Sequence, residues 1–334
     1  MKANGGTLVQ LLRPVLDTYS DSAVALVGCR SLGIERECCE FDVVVVTKEV
    51  RPRNTLRMGD ARLDLFFLSE KEALQPSDPE IAVSMAFAKI VRDSTLLLSA
   101  GCSAAQAVLP ENSRRGAQAR LGASLKAMGR ADEALSKGAA EDADFWLLSA
   151  AYEFAIAWLY ALEVKPAPSH LLAQLKEHSR GSPKKFEAFS AAAGLERASR
   201  KDCEARLESM AVLYDVLDAP QADPEASAPT STRITFQIVK EKAAFLNNAI
   251  QHADCYSFLG YEAMEILPEV LRKMLGAEGK EPEQSLIVSL LSKGEGKPIS
   301  DAVISGLGLV RQEKVIQSGL SALRAQVSSL TRTA

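Results

Sequence analysis

Three carboxylates carry the chemistry this sequence is able to do. Glu40 and Asp42 flank one hydrophobic residue, and Asp64 interrupts the apolar run Leu63, Leu65, Phe66, Phe67, Leu68. Residues 24–27 and 41–46 are apolar runs of strand length, and the second is rich in β-branched valine. Successive side chains on a strand face opposite ways, so Glu40 and Asp42 share a face about 7 Å apart. Carboxylates so placed repel each other unless a cation lies between them, and a hard divalent ion is suited to gathering carboxylate and phosphate oxygens together. Two acids on a polar strand face are commonplace by themselves. Asp64 changes the balance, because a lone carboxylate inside an apolar strand needs a partner, and a metal shared with Asp42 is the expected one.

The elements around these acids follow from pattern and punctuation. Leu8, Leu11, Leu12, Val15 and Leu16 mark one face of an opening helix that leads into the first strand. Residues 55–58, a turn at Gly59-Asp60 and residues 62–68 read as a hairpin that delivers Asp64 beside the first two acids. Residues 81–91 read as a helix, and residues 93–98 as a brief element ending at Gly101. The small-residue segment between the first two strands holds Gly28, Cys29, Arg30, Ser31 and Gly33.

Turn, acid-hydrophobic-acid pair and third acid together resemble the nucleotidyltransferase superfamily, which includes DNA polymerase β, the CCA-adding enzymes, the aminoglycoside nucleotidyltransferases and the minimal nucleotidyltransferases of prokaryotes. The resemblance covers about the first 100 residues. It departs from the family at Cys29, where Ser is usual, and at Glu40, where Asp is usual. The resemblance implies catalytic and metal-binding roles for Glu40, Asp42 and Asp64, with Mg²⁺ or Mn²⁺ as cofactor. It also implies nucleotide binding by Gly28, Cys29, Arg30 and Ser31, with Lys89 on the following helix as a further phosphate contact. The activity implied is transfer of a nucleoside monophosphate from a nucleoside triphosphate to an acceptor by a two-metal mechanism. The acceptor, whether small molecule, RNA or protein, is not read from the sequence. Two other readings stay open: a nucleotide-binding protein that has lost turnover, and a regulatory or toxin-antitoxin-like nucleotidyltransferase acting on protein or RNA.

The expected fold class is α+β: a mixed sheet with helices in residues 1–110, followed by an all-α region. Residues 111–217 read as a helical bundle, with Phe145, Leu148, Tyr152, Ala155, Trp158 and Leu162 on a strongly apolar helix ended by Pro166 and Pro168. Ser169 is expected to cap a helix over residues 170–178. In its order of helices this part is similar to the helical domains of minimal nucleotidyltransferases, the HEPN type included. No Arg stands four to six residues before His170 or His178, so ribonuclease chemistry is not assigned. Residues 218–231, with three prolines among Ala, Ser and acids, read as a linker, and residues 232–334 as a further helical region. Its last part carries the stripe Ile304, Leu307, Val310, Ile316, Leu320 and Leu323, which suits a core or a homodimer face.

Composition sets bounds. With 39 basic and 43 acidic residues in 334 the net charge is −4, which argues against nucleic-acid binding by bulk electrostatics. The six cysteines form no C-x-x-C pair and are expected to be reduced, as in a cytoplasmic protein. No apolar stretch approaches the roughly 20 residues of a membrane span, and no signal-peptide core stands at the N-terminus.

Overall fold

Runs such as Val43 to Val46 leave no polar face, so they are stable only where both faces of a sheet are covered. The computed structural model describes residues 5–49, 51–58, 61–218, 229–275, 286–291, 297–309 and 311–332. The chain forms two compact units, Met1–Gly116 with Leu162–Ala167, and Ala117–Ala161 with Pro168–Ala334.

The first unit runs α1 (Gly5–Thr18), β1 (Val24–Val27), α2 (Gly28–Leu32), β2 (Phe41–Val46), β3 (Asn54–Met58), β4 (Ala61–Leu68), α3 (Glu70–Leu74), α4 (Pro79–Ala86), β5 (Lys89–Arg92) and α5 (Leu97–Ala107). Its five strands form one mixed sheet in the order β3-β4-β2-β1-β5. β2 and β4 are parallel, and the other neighbours are antiparallel. Alternation divides the sheet's residues between two cores. Val43, Val45, Leu63, Leu65 and Phe67 pack with Leu12 and Val15 of α1. Val44, Val46 and Leu68 pack on the other face with Ala73, Met85, Leu98 and Cys102 from α3, α4 and α5. This is the α+β architecture expected, with helices following the sheet.

Three local expectations are corrected. The segment after β1 is not an open turn: Gly28 begins α2, which ends on Gly33 at φ 76. The helix expected over residues 81–91 stops at Ala86, and Lys89 opens the edge strand β5. Gly101 ends nothing. It lies inside α5, where a Cβ would stand 2.0 Å from the carbonyl oxygen of Ala73, so glycine there permits the close approach of α3. The β3–β4 pairing matches the expected hairpin, with its turn at Gly59-Asp60 outside the described residues.

α6 (Leu109–Ser136) carries the chain from the first unit into the second, which continues with α7 (Ala140–Ala161), α8 (Leu171–Ser179), α9 (Pro183–Ala192), α10 (Arg200–Asp218), α11 (Pro229–Asn248), α12 (His252–Leu275), α13 (Ile287–Leu291), α14 (Lys297–Leu307) and α15 (Glu313–Thr331). α7 is buried along nearly its whole length, with Phe145, Tyr152, Phe154 and Trp158 fully buried. It ends at Ala161, five residues before Pro166. Ser169 sits in a 3₁₀ turn, and His170, which is buried, stands at the N-cap of α8 without a side-chain cap bond. Pro268 lies within an unbroken α12. Leu307, Ile316, Leu320 and Leu323 are buried core, whereas Val310 and most of residues 218–231 lie outside the described residues. Helices on both sides of that stretch belong to one unit.

Candidate functional site

The parallel register of β2 and β4 sets Asp42 directly beside Asp64, and the antiparallel register of β1 sets Val27 beside Asp42. Both aspartates fall on the sheet face that carries Val44, Val46 and Leu68, beyond the end of that apolar cluster. Glu40 lies one residue before β2, half-buried. The negative charges of all three acids act on one guanidinium, that of Arg53.

Gly28 shapes the space in front of Asp42. Its φ is +72, a conformation that glycine adopts at little cost, and a Cβ there would lie 1.8 Å from Asp42 Oδ2. The Asp42 carboxylate thus rests against the Gly28 backbone. The residues that follow are turned inward. Cys29 is buried against Cys39 and Ala167. Its hydrogen bond with Cys39, together with burial, pushes its thiol well above the ordinary range, so it is no thiolate. Arg30 donates from Nε to the carbonyl of Glu40 (2.9 Å) and from Nη2 to that of Cys39 (2.5 Å), and it stacks on Phe41 at 3.8 Å. Ser31 Oγ donates to the carbonyl of Gly28 at 2.9 Å. Arg30 therefore ties α2 to the start of β2, and the Ser31 bond stays within α2. Lys89 is exposed and donates to the carbonyl of Arg30 at 3.2 Å.

Asp64 is engaged by two side chains of the same sheet end. Arg53, in the segment before β3, meets both carboxylate oxygens: Nε donates to Oδ1 at 2.8 Å and Nη2 to Oδ2. Thr55, opposite Asp64 in the β3–β4 register, adds a bond from Oγ1 to Oδ1 at 3.2 Å. The hydrogen bond to Asp64 raises the Arg53 pKa, keeping its charge firm.

Sequence reasoning also missed Lys165. Residues 162–167 belong to the first unit, although 45 residues assigned to the second separate them from Gly116. Lys165 is buried, and its ammonium feels the charge of Asp42. Burial, the larger influence, lowers its pKa to about 8 against the pull of Asp42. Two residues earlier Glu163 takes φ 56, a strained value for a side-chain-bearing residue.

The donor set suits a hard divalent cation, since it consists of carboxylates held on neighbouring strands with a glycine cradle beside Asp42. At Asp64 both oxygens are already engaged, by Arg53 and Thr55.

No family model matches the chain, and no curated protein matches it. Among solved structures, the nucleotidyltransferase-like protein from Exiguobacterium sibiricum 255-15 aligns over 93% of this chain and 92% of its own, at 12% identity and a TM-score of 0.34. A likeness at that level carries no argument about the site, which stands on its own geometry.

Proposed function

We propose that this protein binds a nucleoside triphosphate where Gly28, Asp42 and Asp64 meet, and transfers its nucleoside monophosphate to an acceptor hydroxyl with release of pyrophosphate. The observation that carries the reading is the side-by-side register of Asp42 and Asp64 on parallel strands, with Gly28 packed on the Asp42 carboxylate. Glu40 and Asp42 would hold one Mg²⁺, and Asp42 with Asp64 a second. Bound there, such ions neutralise the triphosphate and activate the acceptor oxygen. The chain's own contributions are separate. Lys165 supplies a fixed cation beside Asp42 that offsets carboxylate repulsion against an anionic ligand. The Arg30 strap holds α2, and with it Gly28, against the start of β2.

Thermal-shift measurements with ATP, GTP, CTP and UTP, with and without Mg²⁺, test this reading, together with pyrophosphate release. The expected result is metal-dependent stabilisation by at least one nucleotide, abolished by Asp42→Asn. No stabilisation by any of the four would overturn it. A second reading, binding without turnover, is favoured by the engagement of both Asp64 oxygens by Arg53. Stabilisation without pyrophosphate release distinguishes it.

A further inference from the structure

We infer that Arg53 is a latch on Asp64, a guanidinium that holds the third carboxylate closed and must swing off it before a divalent cation is coordinated there. This deepens the proposed function and rests on the reading that Asp64 is a metal ligand. Three observations carry it. First, the fork is bidentate, so both oxygens of Asp64 are engaged, and Thr55 adds a third donor. Coordination by Asp64 therefore exchanges a protein donor for the ion. Second, the two partners differ in exposure: the Arg53 side chain is 61% exposed and that of Asp64 only 4%. The guanidinium can leave into water while the carboxylate stays, and because its departure strands a buried charge, the latch opens as the ion takes its place. Third, the Arg53 guanidinium lies 4.6 Å from the Phe66 ring centroid, so an aromatic surface at the same sheet end can keep it nearby once released. Lys165 on the Asp42 side is the contrast. It is buried and has no comparable exit to solvent.

The latch predicts competition between Arg53 and the ion for the same oxygens, which a remote positive charge does not. Mn²⁺ alone is the probe, with free ion counted by electron paramagnetic resonance in titrations of the full-length chain. Arg53→Met removes both fork and charge, and is expected to bind Mn²⁺ at least fivefold more tightly than the parent. Arg53→Lys keeps the charge but cannot fork onto both oxygens, and is expected to bind at least twofold more tightly. Circular dichroism of both variants confirms that the fold is retained. An Arg53→Lys affinity equal to the parent's assigns the effect to charge alone and overturns the latch, as does an unchanged or weaker affinity for Arg53→Met. If that happens while nucleotide still stabilises the protein in the presence of Mn²⁺, the latch falls and the proposed function stands. If parent and variants bind neither Mn²⁺ nor nucleotide, both fall.

Discussion

Asp64 shows how one residue can be legible and its partner hidden. A carboxylate within an apolar run announces a need for positive charge, and the two-residue period of a strand predicts that it faces the same way as Asp42. The source of the charge was not legible. Arg53 stands in the segment Arg51-Pro52-Arg53, whose composition reads as solvated loop, and Lys165 is 123 residues from Asp42 with no periodic signal linking them. Gly28 is the residue whose replacement tests the site most directly. Gly28→Ala places a methyl group 1.8 Å from Asp42 Oδ2 and forces a side chain onto φ +72. The expected outcome is a loss of roughly 1–3 kcal/mol in urea unfolding, in line with a strained backbone position. Metal-dependent nucleotide stabilisation should be lost as well. Binding that survives in a folded Gly28→Ala protein would mean the Asp42 carboxylate need not hold its place.

At the scale of elements, strands were read well and the α4–β5–α5 stretch poorly. β5 is four residues long and lies on the sheet edge, so Lys-Ile-Val-Arg carries too few alternations to outweigh the helical pattern before it. α5 starts at Leu97 with its cap four residues upstream. The Asp93 carboxylate accepts from the backbone N–H groups of Leu98 (3.2 Å) and Ser99 (2.7 Å) and from Ser99 Oγ (2.7 Å). Burial opposes ionisation of Asp93, but these hydrogen bonds outweigh it and bring its pKa below the ordinary value. A carboxylate with a lowered folded-state pKa contributes stability above its unfolded value, and that stability is lost as pH falls through the folded value. Asp93→Asn should therefore cost about 1 kcal/mol at neutral pH, with the difference from the parent closing below about pH 3.9. A difference independent of pH across that range would show that charge plays no part in the cap. Leu96, between cap and helix, is exposed and held at φ 59. Asn tolerates this left-handed conformation better, so Leu96→Asn should raise stability by roughly 0.5–1 kcal/mol, read as an upward shift in the melting temperature.

At the scale of the whole chain, composition announced an α+β protein with a helical second part, but not how that part is tied together. Two buried aspartates at the start of α7 do much of this work within the second unit. Asp142 accepts from the backbone N–H groups of Val288 (2.6 Å) and Ser289 (3.1 Å), capping α13 from 146 residues away. Asp144 pairs with Arg311, whose Nη1 also donates to the carbonyls of Ala191 and Ala192 at the end of α9. No local pattern predicts such pairings, because each joins segments more than 100 residues apart. Asp144→Ala leaves the Arg311 charge buried without its carboxylate, at a cost of about 3–5 kcal/mol. The double variant Asp144→Leu/Arg311→Met should recover most of that loss. A double variant as unstable as the single one, by urea denaturation, would show that the pair itself, rather than the stranded charge, holds the segment.

The assignment of Leu162–Ala167 to the sheet-containing unit also has a temporal side. A chain leaving the ribosome presents every strand of the sheet by residue 92, yet Lys165 and Ala167 arrive only after a further stretch of helix has been made. At about 5–20 residues per second the interval lasts several seconds. During it Cys29 and Cys39 lack Ala167 as their packing partner, and Asp42 lacks its buried cation. The nascent acid site therefore carries more negative charge than the finished one, and a chain released early, at residue 116, keeps the acids but not the lysine that balances them.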